Sequence, residues 1–257
     1  IEYQLTHNVD NLLALGTTSE SVLLSENEKH NICSFVYRHK GNAKLLVGVG
    51  SCSTSKTLKD CLWAYQNGAD GLLVVTPYYL KGSIGGIKEH FASCVQSVDV
   101  PIVAYNVPHR TGYDAKISEI TEWANTGVVA IKETSTDLEK VTCEGQINGL
   151  TLLCGSDSLL APYLSVNARG IVSVVSNAFP AITKKTFHSC NPTDNYLHAK
   201  IAELCFIEAS PMPTKYILMR KKLIRSCECR LPLTTISKDS TTKIDALLEK
   251  YGKEVIL

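Results

Sequence analysis

No apolar run in this chain approaches the ~18 residues that would suggest a membrane-spanning helix. Ile1-Glu2-Tyr3-Gln4-Leu5 also lacks the basic-then-apolar order of a secretory leader. Charge of one sign is missing too: 26 basic against 25 acidic residues leave a formal net charge of +1, so no global field favours nucleic acid or an anionic membrane, and an anionic ligand must be caught locally. Repeats and low-complexity stretches do not occur. Ten cysteines in 257 residues are too sparse for a disulfide scaffold, and they form no C-x-x-C pair or matched metal spacing. The close pair Cys227 and Cys229 is too short a motif to carry weight. These absences imply reduced thiols in a cytoplasmic protein. His7, His30, His39, His90, His109, His188 and His198 are scattered without a His-x-x-x-His or His/Asp grouping, so solvated helix or loop positions account for them and no metal is expected.

What is present is a chain 44% hydrophobic, enough for a sizeable core in one large α/β domain or two small ones. Seven short apolar runs recur: Asn11 to Leu15, Lys44 to Val49, Gly71 to Val75, Pro101 to Tyr105, Val128 to Ile131, Leu150 to Cys154 and Gly170 to Val175. Each is followed by a longer segment with helical spacing. Ser25 with Glu28 reads as a capping box, and Thr54 or Ser55, Asp114, Thr136 or Asp137, and Ser156 to Ser158 as further helix starts. Regular β-α alternation means a parallel sheet with right-handed crossovers. A doubly wound sheet would carry a Gly-rich phosphate turn, and Gly48-Val49-Gly50-Ser51-Cys52-Ser53 lacks its third glycine. A closed (β/α)8 barrel fits better, because polar residues stand at the C-terminal end of nearly every strand, where barrels place their chemistry.

Seven strands leave such a barrel open by one, so the expectation is that its N-terminal strand is missing from this chain. Residues 1–180 then form the barrel. Residues 181–257 form its last helix and a C-terminal helical extension, with helices over Asn195 to Glu208, Pro213 to Arg225 and Ser240 to Tyr251.

The run Val128-Val129-Ala130-Ile131 leads into Lys132 and Glu133. A lysine at the end of a buried strand is pushed toward its neutral, nucleophilic form, because desolvation disfavours the charge. A lysine that simply reaches out to water explains the same residues. Leu15-Gly16-Thr17-Thr18-Ser19-Glu20-Ser21 offers hydroxyls and free N–H groups for a carboxylate, or ordinary loop chemistry. Thr76-Pro77-Tyr78-Tyr79 offers two phenols that donate protons or merely pack. Tyr105-Asn106-Val107-Pro108-His109-Arg110-Thr111-Gly112 offers a proton-transfer phenol and a guanidinium suited to a carboxylate, or a packed tyrosine and a solvated arginine. Together they make the parts for amine catalysis on a 2-oxo acid, in which a protonated imine is the electron sink and no metal is needed.

In order and spacing these motifs, with Ile131-Lys132-Glu133 and Pro211-Met212-Pro213-Thr214-Lys215, resemble the dihydrodipicolinate synthase family. These are pyruvate-dependent class I aldolases related to N-acetylneuraminate lyase, and the resemblance runs the length of the chain. It implies condensation of pyruvate with L-aspartate 4-semialdehyde in lysine and diaminopimelate biosynthesis, pyruvate being held covalently without other cofactors. By the same resemblance Lys132 forms the Schiff base, Tyr105 and Thr17 relay protons, and Tyr79 completes the relay from a neighbouring subunit. Thr18 holds the pyruvate carboxylate, Arg110 recognises the second substrate, and Gly155 and Val172 line the pyruvate pocket. The implied assembly is a homo-oligomer with the dimer as catalytic unit, usually a tetramer. The double threonine and Arg110 favour the condensing branch. Another pyruvate-dependent aldolase or lyase acting on a sugar acid, and a catalytically silent barrel, are the alternatives.

The chain departs from the family pattern at several places. Ser19 stands where glycine is usual, which is tolerable only if that turn does not need positive φ. The first strand is absent, and the stretch from His198 to Ala209 is shorter. Cys52 and Lys56 stand where lysine-inhibited members carry an asparagine and a glutamate, which predicts weak or no feedback by L-lysine, since Lys56 repels an ammonium group.

Overall fold

The computed structural model describes residues 1–189 and 191–255. Seven strands, β1 (Asn11–Ala14), β2 (Lys44–Gly48), β3 (Gly71–Val75), β4 (Ile102–Asn106), β5 (Ala130–Glu133), β6 (Thr151–Cys154) and β7 (Gly170–Ile171), form one sheet in sequential order with every neighbouring pair parallel. The helices between them are α2 (Glu26–His39), α3 (Thr54–Gln66), α4 (Ile84–Ser97), α5 (Pro108–Thr111), α6 (Ile117–Asn125), α7 (Leu138–Glu144) and α8 (Leu160–Ser165). The chain opens in α1 (Glu2–Thr6) and closes with α9 (Pro180–Ser189), α10 (Pro192–Cys205), α11 (Met212–Arg220) and α12 (Lys238–Val255). Among the described residues no helix is long and apolar enough to cross a membrane.

Strand residues alternate between two apolar layers, as side chains on a pleated strand must. One face carries Leu73, Val103, Tyr105 and Ala130, packed with Leu13, Leu46, Val75 and Leu153. The other buries Leu45, Val47, Leu72, Val74, Ile102, Ala104, Ile131 and Leu152 against the helices. Burial on both faces is why these strands read as continuous apolar runs instead of alternating ones. A second core, from Val175 and Phe179 through Ile201 and Ile217 to Ile244, holds the C-terminal helices together.

All seven expected strands form, with shifted ends. β5 starts at Ala130 instead of Val128, because Val128 N is still bonded to Trp123 O at the end of α6, cross-strand hydrogen bonds start at Val129, and Ala130 is the first residue paired with both Val103 and Thr151. Lys132 is therefore the penultimate residue of its strand. Ser25 and Glu28 form the expected capping box. The cap of α3 is Ser53 instead of Thr54 or Ser55, its hydroxyl accepting from Lys56 N. Asp114 caps nothing; it accepts from Lys140 Nζ at 2.5 Å, and α6 begins at Ile117. In the C-terminal part, α10 begins at Pro192 because Asn191 caps it, its side chain accepting from Thr193 N at 2.8 Å. The solvated reading of the histidines fails for two of them: His90 and His198 are each 1% exposed. Helical spacing places both on inward faces, and His90 Nδ1 lies 2.9 Å from Thr54 Oγ1, which ties α4 to α3. The described cysteines are free thiols.

Candidate active site

Register brings the first two groups together. Tyr105 in β4 pairs with Lys132 in β5, so both side chains leave the sheet on the same face, and Lys132 Nζ sits 4.0 Å from the centre of the Tyr105 ring. Lys132 is 8% exposed. Burial pushes its pKa down to about 8; Asp157 opposes that shift, and Arg110 adds to it. Burial pushes the Tyr105 phenol up to about 12, with Arg110 and the facing Thr17 side chain working the other way. A lysine of this kind holds a substantial fraction of free amine near neutral pH, and the phenol beside it keeps its proton to give.

A cavity of about 920 Å³ opens over this pair and is lined by Thr17, Thr18, Tyr105, His109, Arg110, Lys132, Gly155 and Val172, among others. Thr17 and Thr18 begin a 3-10 turn directly after β1. The positive φ of that turn falls on Glu20, at 56°, and not on Ser19, so serine is accommodated where glycine was expected. Glu20 is pinned from the C-terminal segment: Lys215 Nζ donates to Oε1 and Arg230 N to Oε2, each at 2.8 Å. Arg230 reaches on to Glu28 at the start of α2. Nothing in the local sequence reveals this clamp, since its halves lie far apart in the chain.

Arg110 is carried by α5, which Gly112 ends in a left-handed conformation at φ 70°. Gly155 follows β6 and donates its N–H to Glu133 O at 2.7 Å. A Cβ there would come within 2.8 Å of that carbonyl and 3.0 Å of Lys132 Cε, so glycine is what lets β6 pass under the lysine. Val172 N donates to Cys154 O at 2.8 Å, which continues the pairing of β6 and β7 and sets the opposite wall.

Seven of the eight expected site residues thus share one cavity. Tyr79 does not line it. It is 88% exposed at φ 74° after β3, beside exposed Leu80 and Ile84. Glu133, the neighbour of Lys132, points to the helix-facing side of β5, where Asn106 Nδ2, Thr134 N and Ser135 N donate to it. Among the described residues no three His, Cys, Asp or Glu side chains converge as metal ligands.

A second cavity of about 350 Å³ lies alongside, sharing Thr17, Tyr105 and Arg110. In its wall Lys56 Nζ pairs with Glu26 at 2.9 Å and Asp60 at 3.1 Å, and His30 stacks on Trp63 with ring centres 3.9 Å apart.

The model of the Dihydrodipicolinate synthetase family matches residues 1–251. The chain belongs to that family. It is 34% identical over 271 residues to the 4-hydroxy-tetrahydrodipicolinate synthase of Protochlamydia amoebophila, covering all of this chain and 90% of that protein. The crystal structure of dihydrodipicolinate synthase from Aquifex aeolicus superposes with a TM-score of 0.92 at 31% identity, over 98% of this chain and 89% of that one. The chloride-inhibited dihydrodipicolinate synthase of Acinetobacter baumannii, complexed with pyruvate, superposes at 0.91 with 26% identity, over 98% and 90%. Within the family the sheet seen here is an α/β barrel sheet, and its chemistry is that of a lyase.

Proposed function

We propose that this chain condenses pyruvate with L-aspartate 4-semialdehyde to 4-hydroxy-tetrahydrodipicolinate in lysine and diaminopimelate biosynthesis, with Lys132 as the amine. The observation that carries the reading is a desolvated amine 4.0 Å from the Tyr105 ring centre, in one cavity with Thr17, Thr18 and Arg110. The neutral amine adds to the ketone carbon of pyruvate. The carbinolamine loses its hydroxyl as water, with Tyr105 supplying the proton and Thr17 passing protons on, and the nitrogen becomes a positively charged imine. Loss of a methyl proton returns the electron pair as an enamine. Its carbon attacks the aldehyde, and the aldehyde oxygen takes up a proton. The amino group of the second substrate then adds to the imine carbon and expels Lys132 as free amine, closing the ring. Thr18 and its neighbouring N–H groups hold the pyruvate carboxylate, Arg110 the carboxylate of the semialdehyde, and Gly155 and Val172 shape the pocket through their backbone. No other cofactor enters.

The seven strands belong, in this reading, to a (β/α)8 barrel spanning 1–180, the place of a further strand lying between β7 and β1. Residues 181–257 supply the last helix and the extension. Exposed Tyr79, with Leu80, Ile84 and Val22, supports a dimer in which Tyr79 completes the partner's relay, and dimers pair into a tetramer. A cytoplasmic setting is part of the same reading. Lys56, paired with Glu26 and Asp60, supports insensitivity to L-lysine.

Borohydride reduction with pyruvate, followed by peptide mass analysis, tests the central claim. A reduced pyruvyl adduct on Lys132 is expected, together with turnover of aspartate semialdehyde. An adduct without that turnover, but with cleavage of a sugar acid, would move the chain to another aldolase branch. No adduct leaves a silent barrel.

A further inference from the structure

Behind the cavity wall lies a carboxylate that the reaction above does not use. Asp157 is 1% exposed and does not line the cavity. Its oxygens are fixed as acceptors: Ser173 Oγ donates to Oδ1, and Val174 N donates to Oδ2 at 2.8 Å. The Ser173 oxygen also accepts from Ser176 N at 2.8 Å, which leaves the hydroxyl hydrogen to point at Asp157. Such a shell favours the ionised carboxylate, although burial pushes the Asp157 pKa up. Behind it, His198 Nε2 lies 3.8 Å from Oδ1 and has no hydrogen-bond partner among the described residues. Burial pushes the His198 pKa down, so a neutral ring leaves the negative charge uncancelled.

The loop that carries this charge runs against Lys132: Gly155, two residues before Asp157, packs so closely that a Cβ on it would come within 3.0 Å of Lys132 Cε. The groups that act on Lys132 are Asp157, Arg110 and the Cys154 thiol, with the Tyr105 ring against its amine. Those around Asp157 are His198, Cys205 and Cys154. Arg110 has the same sign as a charged amine, and burial pushes both thiols up to about 12, which keeps them neutral. Glu133 faces the other side of the strand with its oxygens already engaged.

We propose that Asp157 is the counter-charge of the protonated imine on Lys132, a positioning residue that acts through Lys132 without touching substrate, held in its ionised form by Ser173 and Val174. The inference rests on the imine reading above. When the neutral amine adds to the ketone and the carbinolamine loses its hydroxyl as water, the nitrogen gains a positive charge on a side chain that is buried and poorly hydrated. When the methyl proton then leaves, the electron pair returns to nitrogen and the charge vanishes. Asp157 therefore stabilises the imine and not the enamine, so its removal weakens pyruvate capture without slowing the loss of the methyl proton that follows.

Asp157→Asn keeps the shape and removes the charge. At pH 9, where the free amine is largely unprotonated in both chains, the pyruvate concentration for half-maximal borohydride trapping on Lys132, and KM for pyruvate, are expected to rise about tenfold, the equivalent of about one pKa unit. The kcat should stay within about twofold. Ser173→Ala, which weakens the shell, should shift both in the same direction by less. An unchanged pyruvate dependence in Asp157→Asn overturns the assignment, as does a fall in kcat that matches the rise in KM. If Asp157→Asn does not fold, Ser173→Ala decides: no rise in half-saturating pyruvate overturns it. A wild-type chain that traps no pyruvate overturns the imine and this assignment together, whereas normal wild-type trapping with an unshifted Asp157→Asn overturns this assignment alone.

Discussion

Replacing Lys132 by methionine should abolish the enzyme and stabilise the fold. In the unfolded chain the lysine titrates near 10.5, and in the folded chain near 8. The folded state therefore holds this proton less tightly than the unfolded state, and proton binding below pH 10.5 favours unfolding. The cost is complete below about pH 8 and is relieved as the pH rises through the window from 8 to 10.5. A difference of about 2.5 pKa units corresponds to about 3 kcal/mol at pH 7, falling to about 1.4 kcal/mol at pH 9.5. Methionine fills a similar volume without a charge to desolvate. Urea unfolding of both proteins, at one protein concentration and at pH 7 and 9.5, measures the difference. Lys132→Met should be the more stable by about 3 kcal/mol at pH 7, and the gap should narrow by about 2 kcal/mol at pH 9.5. A variant less stable than wild type, or a gap that does not change with pH, would refute the reasoning that burial holds this amine near neutrality.

Tyr105→Phe should slow turnover by about 10²-fold or more while leaving the borohydride adduct detectable at long incubation, because a positioned proton donor is lost and the amine is not; steady-state rates check this, and near-normal turnover would remove Tyr105 from the relay. Mixing Lys132→Ala with Tyr79→Phe subunits under exchange should restore activity that neither has alone, since each hybrid dimer contains one site with Lys132 and a partner Tyr79; no recovery counts against a shared site. L-Lysine at millimolar concentration should not inhibit, because the carboxylates that line the second cavity, Glu26 and Asp60, are already paired with Lys56, which competes with the ligand's ammonium group for them; half-inhibition below a millimolar overturns that. Burial beside Glu133 pushes the Glu144 carboxyl up to about 9, so the folded chain binds its proton more tightly than the unfolded one, and stability is lost as the pH rises from about 4.5 toward 9. Glu144→Gln should therefore be increasingly stabilising across that window in thermal melts, and a gain largest at pH 4.5 would contradict it.

Much of this architecture was legible in local pattern. Runs such as Gly71 to Val75 are too apolar and too short for anything but strands buried on both faces, and Ser25 with Glu28 marks a helix start by hydrogen-bonding chemistry alone. Strand ends were less legible, because Val128 and Val129 are as apolar as Ala130 and Ile131, and only the ladder partners Val103 and Thr151 decide where pairing starts. The histidines went astray for a related reason. His90 and His198 are polar residues on inward helix faces, and a scattered spacing carries no sign of which face turns inward.

By itself the sequence determined the alternation of strand and helix and the presence of an amine, a phenol, hydroxyls and a guanidinium at or just after strand ends, because each depends on neighbours a few residues away. Only the tertiary structure decided that Tyr105 stands level with Lys132, that Glu133 faces away from it while Gly155 packs against it from a separate strand end, and that Tyr79 is exposed outside the cavity. Those are matters of register, pleat and burial between segments distant in the chain. A lysine's charge is set by what surrounds it in space, so the same residue that local sequence left free to reach water is, in the folded chain, an amine held near neutrality.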